Sequence, residues 1–130
     1  MKKDAPLFIV LAVCTCSLVF FVFNHQNQNH SLSDIKAKAE QGDAQAQYNM
    51  GLAYLNGQIV KQDYAEAIKW LEKAGVQSYA KAQLTLGEMY YTGLAGKKDY
   101  HMAAQWFDEA CDNGSPEGCR MYQMLRTAGY

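Results

Sequence analysis

A period of 36 residues runs through this chain and constrains it more than any other feature. Laid over one another without gaps, 44–79 and 80–115 agree at 12 of 36 positions. The matches are Ala44/Ala80, Ala46/Ala82, Gln47/Gln83, Gly51/Gly87, Tyr54/Tyr90, Gly57/Gly93, Lys61/Lys97, Asp63/Asp99, Tyr64/Tyr100, Ala67/Ala103, Trp70/Trp106 and Ala74/Ala110. A period of this length marks an array of supersecondary units that share a core only when stacked. The pattern extends outward. Gly129 falls 36 after Gly93, and Leu32, Ile35 and Ala39 fall 36 before Ile68, Leu71 and Gly75. The array therefore reads as a half unit at 32–43, repeats at 44–79 and 80–115, and a terminal helix at 116–130.

Each repeat reads as two antiparallel helices. Ala44, Gln47, Gly51 and Tyr54 recur at the spacing of one helical face. Small residues on that face admit a close neighbour, and Tyr54 fills the wider end. Gly57 and Gly93 can adopt the left-handed conformation that stops a helix. Asp63 and Asp99 are good N-caps for the second helices. The expected buried face of those helices is Tyr64, Ala67, Ile68, Leu71 and Ala74, then Tyr100, Ala103, Ala104, Phe107 and Ala110. Trp70 and Trp106 are expected to wedge between units. Ser115 caps the last helix, with Pro116 as its first residue. About five soluble helices result, in an all-α fold; with 130 residues and only two prolines there is room for one modest core.

The N-terminus differs in kind. Lys2 and Lys3 precede a run from Pro6 to Phe23 that is apolar apart from Thr15 and Ser17. Its 18 residues nearly cross a hydrocarbon core of ~30 Å. Basic residues before the run, and none after it until Lys36, orient the N-terminus inward. The expected organisation is a cytoplasmic stretch at 1–5, a single transmembrane signal anchor at 6–23, a polar linker at 24–31 and the repeats at 32–130. A cleaved signal is the rival reading. Leu11-Ala12-Val13-Cys14 also approximates a lipobox, so a secreted protein or a lipoprotein are the alternatives. The net charge of −1, from 12 basic and 13 acidic residues, argues against a nucleic-acid binder.

The pattern AxAQxxxGxxYxxG…DYxxAxxWxxxA, present in both repeats, resembles the Sel-1-like repeat family, a relative of tetratricopeptide repeats. The inter-helix loops, Gly57-Gln58-Ile59-Val60 and Gly93-Leu94-Ala95-Gly96, depart from the family's Gly-x-Gly-Val. The resemblance implies a short right-handed α-solenoid that serves as a protein-interaction adaptor. Bacterial members are often exported and act at the cell envelope. The partner implied is a protein or peptide of the envelope, with self-association also open; no cofactor and no metal site is expected.

Cys111 and Cys119 fall on neighbouring antiparallel helices, where a disulfide is geometrically reasonable and two buried thiols are the alternative. Their spacing resembles the bridged pairs of a cysteine-rich exported subgroup, in keeping with an oxidising compartment. Those relatives are associated with β-lactam binding and hydrolysis, which makes a β-lactamase-like enzyme the rival function. Ser33-x-x-Lys36 and Ser78-x-x-Lys81 match one element of such sites, but no Lys-Thr-Gly or Ser-Asp-Asn follows. No catalytic residues are assigned, and His101 reads as a surface residue. The expected binding stripe lies on the concave, first-helix side: Gln45, Asn49, Leu52 and Asn56, then Lys81, Thr85, Glu88 and Thr92. These positions differ between repeats while the packing face recurs. Tyr91, with Tyr90 and Met89, is a second candidate edge.

Overall fold

The computed structural model describes residues 31–94 and 96–130. The chain divides into two units, Met1–Asp34 and Ile35–Tyr130. The expected anchor at 6–23, Cys14 and Cys16 lie outside the described residues. Among the described residues no helix is long and apolar enough to cross a membrane. The fold is all-α. Residues 31–40 are helical (α1), including residue 31, which the sequence placed in the linker. Then come α2 (Ala44–Asn56), α3 (Tyr64–Gly75), α4 (Ala80–Thr92), α5 (Tyr100–Asp112) and α6 (Pro116–Thr127). The count among the described residues is six rather than about five, because the half unit contributes a full helix of its own.

Local chemistry sets the helix ends. Asp43 accepts the Ala46 N–H at 2.6 Å, and Asp63 accepts from Ala65 and Glu66 at 3.0 Å each. Asp99 accepts from Met102 at 2.9 Å and Ser115 from Gly118 at 3.1 Å. Each cap satisfies N–H groups that the first turn leaves without partners, and replacing such a cap by Ala costs about 1 kcal/mol. Gly57 and Gly93 close α2 and α4 with φ of 67° and 88°. Position 79 breaks the rule: Tyr79 gives α4 no side-chain cap and its ring packs 5.3 Å from that of Tyr48 instead. Just before it, Ser78 has φ of 63°, where the equivalent positions carry Gly42 and Gly114.

The helices pack in chain order, α2 on α3, α3 on α4, α4 on α5 and α5 on α6. Close approach rests on the repeated glycines. A Cβ on Gly51 would lie 2.6 Å from Leu71 Cγ, and one on Gly87 would lie 2.5 Å from Phe107 Cε1. Leu71, Ala67, Ala74, Ala82, Leu86 and Met89 form one buried cluster; Ala103, Ala104, Phe107 and Leu125 form another. Tyr90 packs against both. Trp106 reaches Gly75 of the preceding repeat, as its expected wedge role requires, and among the described residues its buried Nε1 has no hydrogen-bond partner. Two expectations are corrected. Tyr64 is exposed, whereas its period mate Tyr100 is covered by the rings of Tyr91 and Tyr130. Met89 is buried in the first cluster and is no part of an exposed edge.

A polar link recurs at each junction. Gln47 Nε2 donates to Ala39 O at 3.1 Å, and Gln83 Nε2 donates to Gly75 O at 2.9 Å. In both cases a buried glutamine grips the end of the second helix eight residues back. The turn after the next helix braces each glutamine: Gln77 Nε2 donates to Gln47 Oε1 at 2.7 Å and Asn113 Nδ2 to Gln83 Oε1 at 3.0 Å. At the third junction the corresponding positions, 36 residues on, are Cys111 and Cys119. They are joined by a disulfide with Cα atoms 4.5 Å apart. A covalent bond thus stands where the earlier junctions have a hydrogen bond.

Candidate functional site

The expected stripe is surface-exposed along most of its length. Gln45, Asn49 and Asn56 are exposed on α2 and Leu52 is half-buried. Lys81, Glu88 and Thr92 are exposed on α4 and Thr85 is half-buried. The structure brings Asn49, Leu52 and Asn56 together. With Ile35, Ala53, Gln58 and Ile59 they line a cleft of about 180 Å³. Gln45 is not in its wall. The α4 set is arranged differently. Thr85 Oγ1 donates to Lys81 O at 2.9 Å and Thr92 Oγ1 to Glu88 O at 2.7 Å, so both hydroxyls bond to their own helix. Loss of solvation pushes the Glu88 carboxyl above its usual 4.5.

A second cleft, of about 260 Å³, opens between α4, α5 and α6. Its wall is Tyr91, Tyr100, Met124, Leu125, Ala128 and Tyr130. The Tyr100 ring lies 5.5 Å from Tyr91 and 4.8 Å from Tyr130. His101 is exposed, 5.7 Å from the Tyr130 ring. The sequence pointed to Tyr91 alone here. Extending the stripe by one more period would have reached Met124 and Ala128.

A third depression, of about 410 Å³, lies on the outward side of α3 around Glu66, Lys69, Trp70, Glu72, Lys73 and Val76. Lys73 Nζ sits 4.1 Å from the Trp70 ring, a cation–π contact. Sequence reading assigned Trp70 to packing and so missed this surface.

The residues of the rival enzyme reading are all at the surface. Ser78 is exposed in the turn before α4, and Lys81 is exposed in its first helical turn. Ser33 and Lys36 are both exposed on α1. None of the four lines any of the three clefts. Among the described residues there is no grouping of His, Cys, Asp and Glu that could hold a metal ion.

Stacked helix pairs, repeated junction links and open clefts along the first helices define an α-solenoid of helix-pair repeats. The chain belongs to the Sel1 repeat family, whose model matches residues 44–75 and 80–115. The family is generally non-enzymatic and typically serves protein–protein interaction. A Sel1 repeat protein from Oxalobacter formigenes has a crystal structure similar to this one, with a TM-score of 0.70 and 34% identity. That likeness covers 76% of this chain and 74% of the other. A protective antigen of uropathogenic Escherichia coli strains with an SLR fold is similar at a TM-score of 0.63 and 31% identity, covering 74% of this chain and 25% of the antigen. The sel1-like repeat-containing protein L18 of Acanthamoeba polyphaga mimivirus is 36% identical over 73 residues, or 49% of this chain. The chain spans 12% of the length of that viral relative.

Proposed function

We propose that this chain is a membrane-anchored adaptor of the bacterial cell envelope that binds a segment of a partner protein along the first-helix side of its repeats. An anchor at 6–23 holds it in the inner membrane, with the repeats in the periplasm. The observation that carries the reading is the α2 cleft. Asn49, Leu52 and Asn56, selected because they vary where packing residues repeat, line one open cavity. The Cys111–Cys119 bridge supports an exported location, since disulfides persist in oxidising compartments. Anchoring confines chain and partner to one membrane, so a weak contact suffices.

Photo-crosslinking in intact membranes tests this. A crosslinking residue at position 49 or 85 should capture one defined protein, and one at Gln105, exposed on α5, should not. Equal labelling from all three positions refutes the groove reading.

A further inference from the structure

The two clefts occupy the same place in the repeat. Leu52, Ala53, Asn56 and Gln58 of the α2 cleft stand 72 positions before Met124, Leu125, Ala128 and Tyr130 of the α6 cleft. Glu88, Met89, Thr92 and Leu94 hold the intermediate register. The same register therefore carries different chemistry in the three units: side-chain amides first, then the Glu88 carboxylate, then an aromatic wall.

Half of the exposed large apolar side chains fall at those registers, and Ile59 stands next to one. Among the described residues, Ile59, Tyr64, Val76, Leu94, Met124 and Tyr130 are the large apolar side chains left exposed. Ile59 lines the α2 cleft; Met124 and Tyr130 line the α6 cleft. Leu94 is the period mate of Tyr130, and Tyr64 is the period mate of Tyr100 in the same wall. Val76 lies on the outward side of α3. Exposed apolar surface gathered in a strip marks a contact surface, whereas scattered single residues do not. Charge adds direction. Glu88 is one helical turn from Tyr91 on α4, and its carboxylate has no ion-pair partner among the described residues. Arg126, the cation at the end of α6, is directed to the Tyr122 ring, with 6.0 Å to its centroid.

We propose that the α6 cleft anchors an extended peptide of the partner protein, which inserts an aromatic or methionine side chain against Tyr91, Tyr100 and Tyr130 and sets a lysine or arginine, within a few residues, against Glu88. The inference rests on the adaptor reading and names the chemistry of its ligand. A cavity of about 260 Å³ suits one inserted side chain. A stable folded partner would need about 800 Å² of each surface. Tyrosine rings form a stiff wall that loses little entropy when a side chain packs on it, and the Glu88 carboxylate selects the charge of the neighbour.

The test is selection of a phage-displayed random peptide library on the full-length, disulfide-intact chain, followed by affinity measurement with the enriched peptides. Enriched sequences should carry Phe, Tyr, Trp or Met within a few residues of Lys or Arg. Tyr130→Ala and Tyr100→Ala should each weaken such a peptide about tenfold, the loss typical of a hot-spot aromatic. Glu88→Lys should remove the preference for a basic residue and keep the preference for the aromatic. Tyr130 is exposed at its edge, so its variant reports on the cleft even if Tyr100→Ala disturbs folding. Enriched peptides that respond to Asn49→Ala and Asn56→Ala but not to the tyrosine or Glu88 variants overturn this inference and leave the adaptor reading standing. A chain that enriches no peptide and dimerises through a surface broken by Tyr130→Ala overturns it in favour of a second copy as occupant. Failure to enrich any peptide, with no dimer, counts against both readings.

Discussion

Gln83 is the polar centre of the repeat domain, and replacing it by Met isolates what its amide contributes. The side chain is 2% exposed. Its Nε2 donates to Gly75 O at 2.9 Å and to Glu109 Oε2 at 3.2 Å; its Oε1 accepts from Asn113 Nδ2 at 3.0 Å. Met keeps the length and most of the packing and removes all three bonds. Neither main partner is stranded. Gly75 O still accepts from Ser78 N at 3.0 Å, and Asn113 Nδ2 still donates to Glu109 O at 2.9 Å. The loss is therefore the net worth of one buried bond, about 1 kcal/mol, with a few tenths more from the two at the rim. A total of about 1.5 kcal/mol should lower the melting temperature by roughly 5–10 °C in a domain of this size. Gln83→Glu should be worse, by more than about 3 kcal/mol, because a buried carboxylate would face the Gly75 carbonyl and the Glu109 carboxylate. Thermal unfolding of the oxidised full-length chain, followed by circular dichroism, measures both. If Gln83→Met melts with the native chain, or Gln83→Glu melts with Gln83→Met, the amide is not the link between repeats.

Other outcomes follow from the same geometry. Ser78→Gly should raise stability by about 0.5–1 kcal/mol, since it relieves a left-handed serine at a place where the sister positions already carry glycine; a denaturant midpoint that falls would refute this. Gly87→Ala should lower stability by about 1–2 kcal/mol, because its Cβ would meet the buried Phe107 ring, a strain that outweighs the gain in helix propensity; an unchanged midpoint would show that the ring yields freely. Cys111→Ser with Cys119→Ser should cost about 2.5 kcal/mol, matched by a thiol reductant acting on the native chain. Glu88→Gln should stabilise the chain at neutral pH. The Glu88 carboxyl has a raised folded pKa, so its desolvation cost is present above that pKa and disappears as pH falls through the usual 4.5. The difference between variant and native stability should vanish on acidification, and a pH-independent difference would exclude solvation as its cause.

Much of the repeat domain is written in local signals. Asp63, Asp99, Ser115, Gly57 and Gly93 act within a few residues of themselves, so spacing alone reveals them. Other features depend on neighbours that no local pattern encodes. Tyr64 and Tyr100 are period mates, but Tyr100 packs between Tyr91 and Tyr130 while Tyr64 stays exposed. Gln47 and Gln83 stood out as polar residues on a packing face. Their partners are main-chain carbonyls at the end of the preceding helix, which residue types cannot show. The stripe was readable from its variation between repeats. Its third register, Met124 and Ala128, aligns with Glu88 and Thr92 at the same period, but it lies in a unit of one helix, where the repeat pattern is only half present. The apolar segment at 6–23 speaks through hydropathy alone.

The bridge between Cys111 and Cys119 gives the stack two unlike ends. In a linear array, opening starts at a terminus and spreads through the junctions one after another. Here the last junction is stitched by a covalent bond, while at the α1–α2 junction the matching positions, Gln47 and Ala39, share a hydrogen bond. Among the described helices, opening should therefore favour α1 and α2 over α5 and α6, with faster amide exchange in the first pair. The aromatic cleft on α6 would keep its shape after the amide-lined cleft on α2 has loosened. An oxidising compartment would then set which end of the array yields first, and a reductant would make the two ends alike.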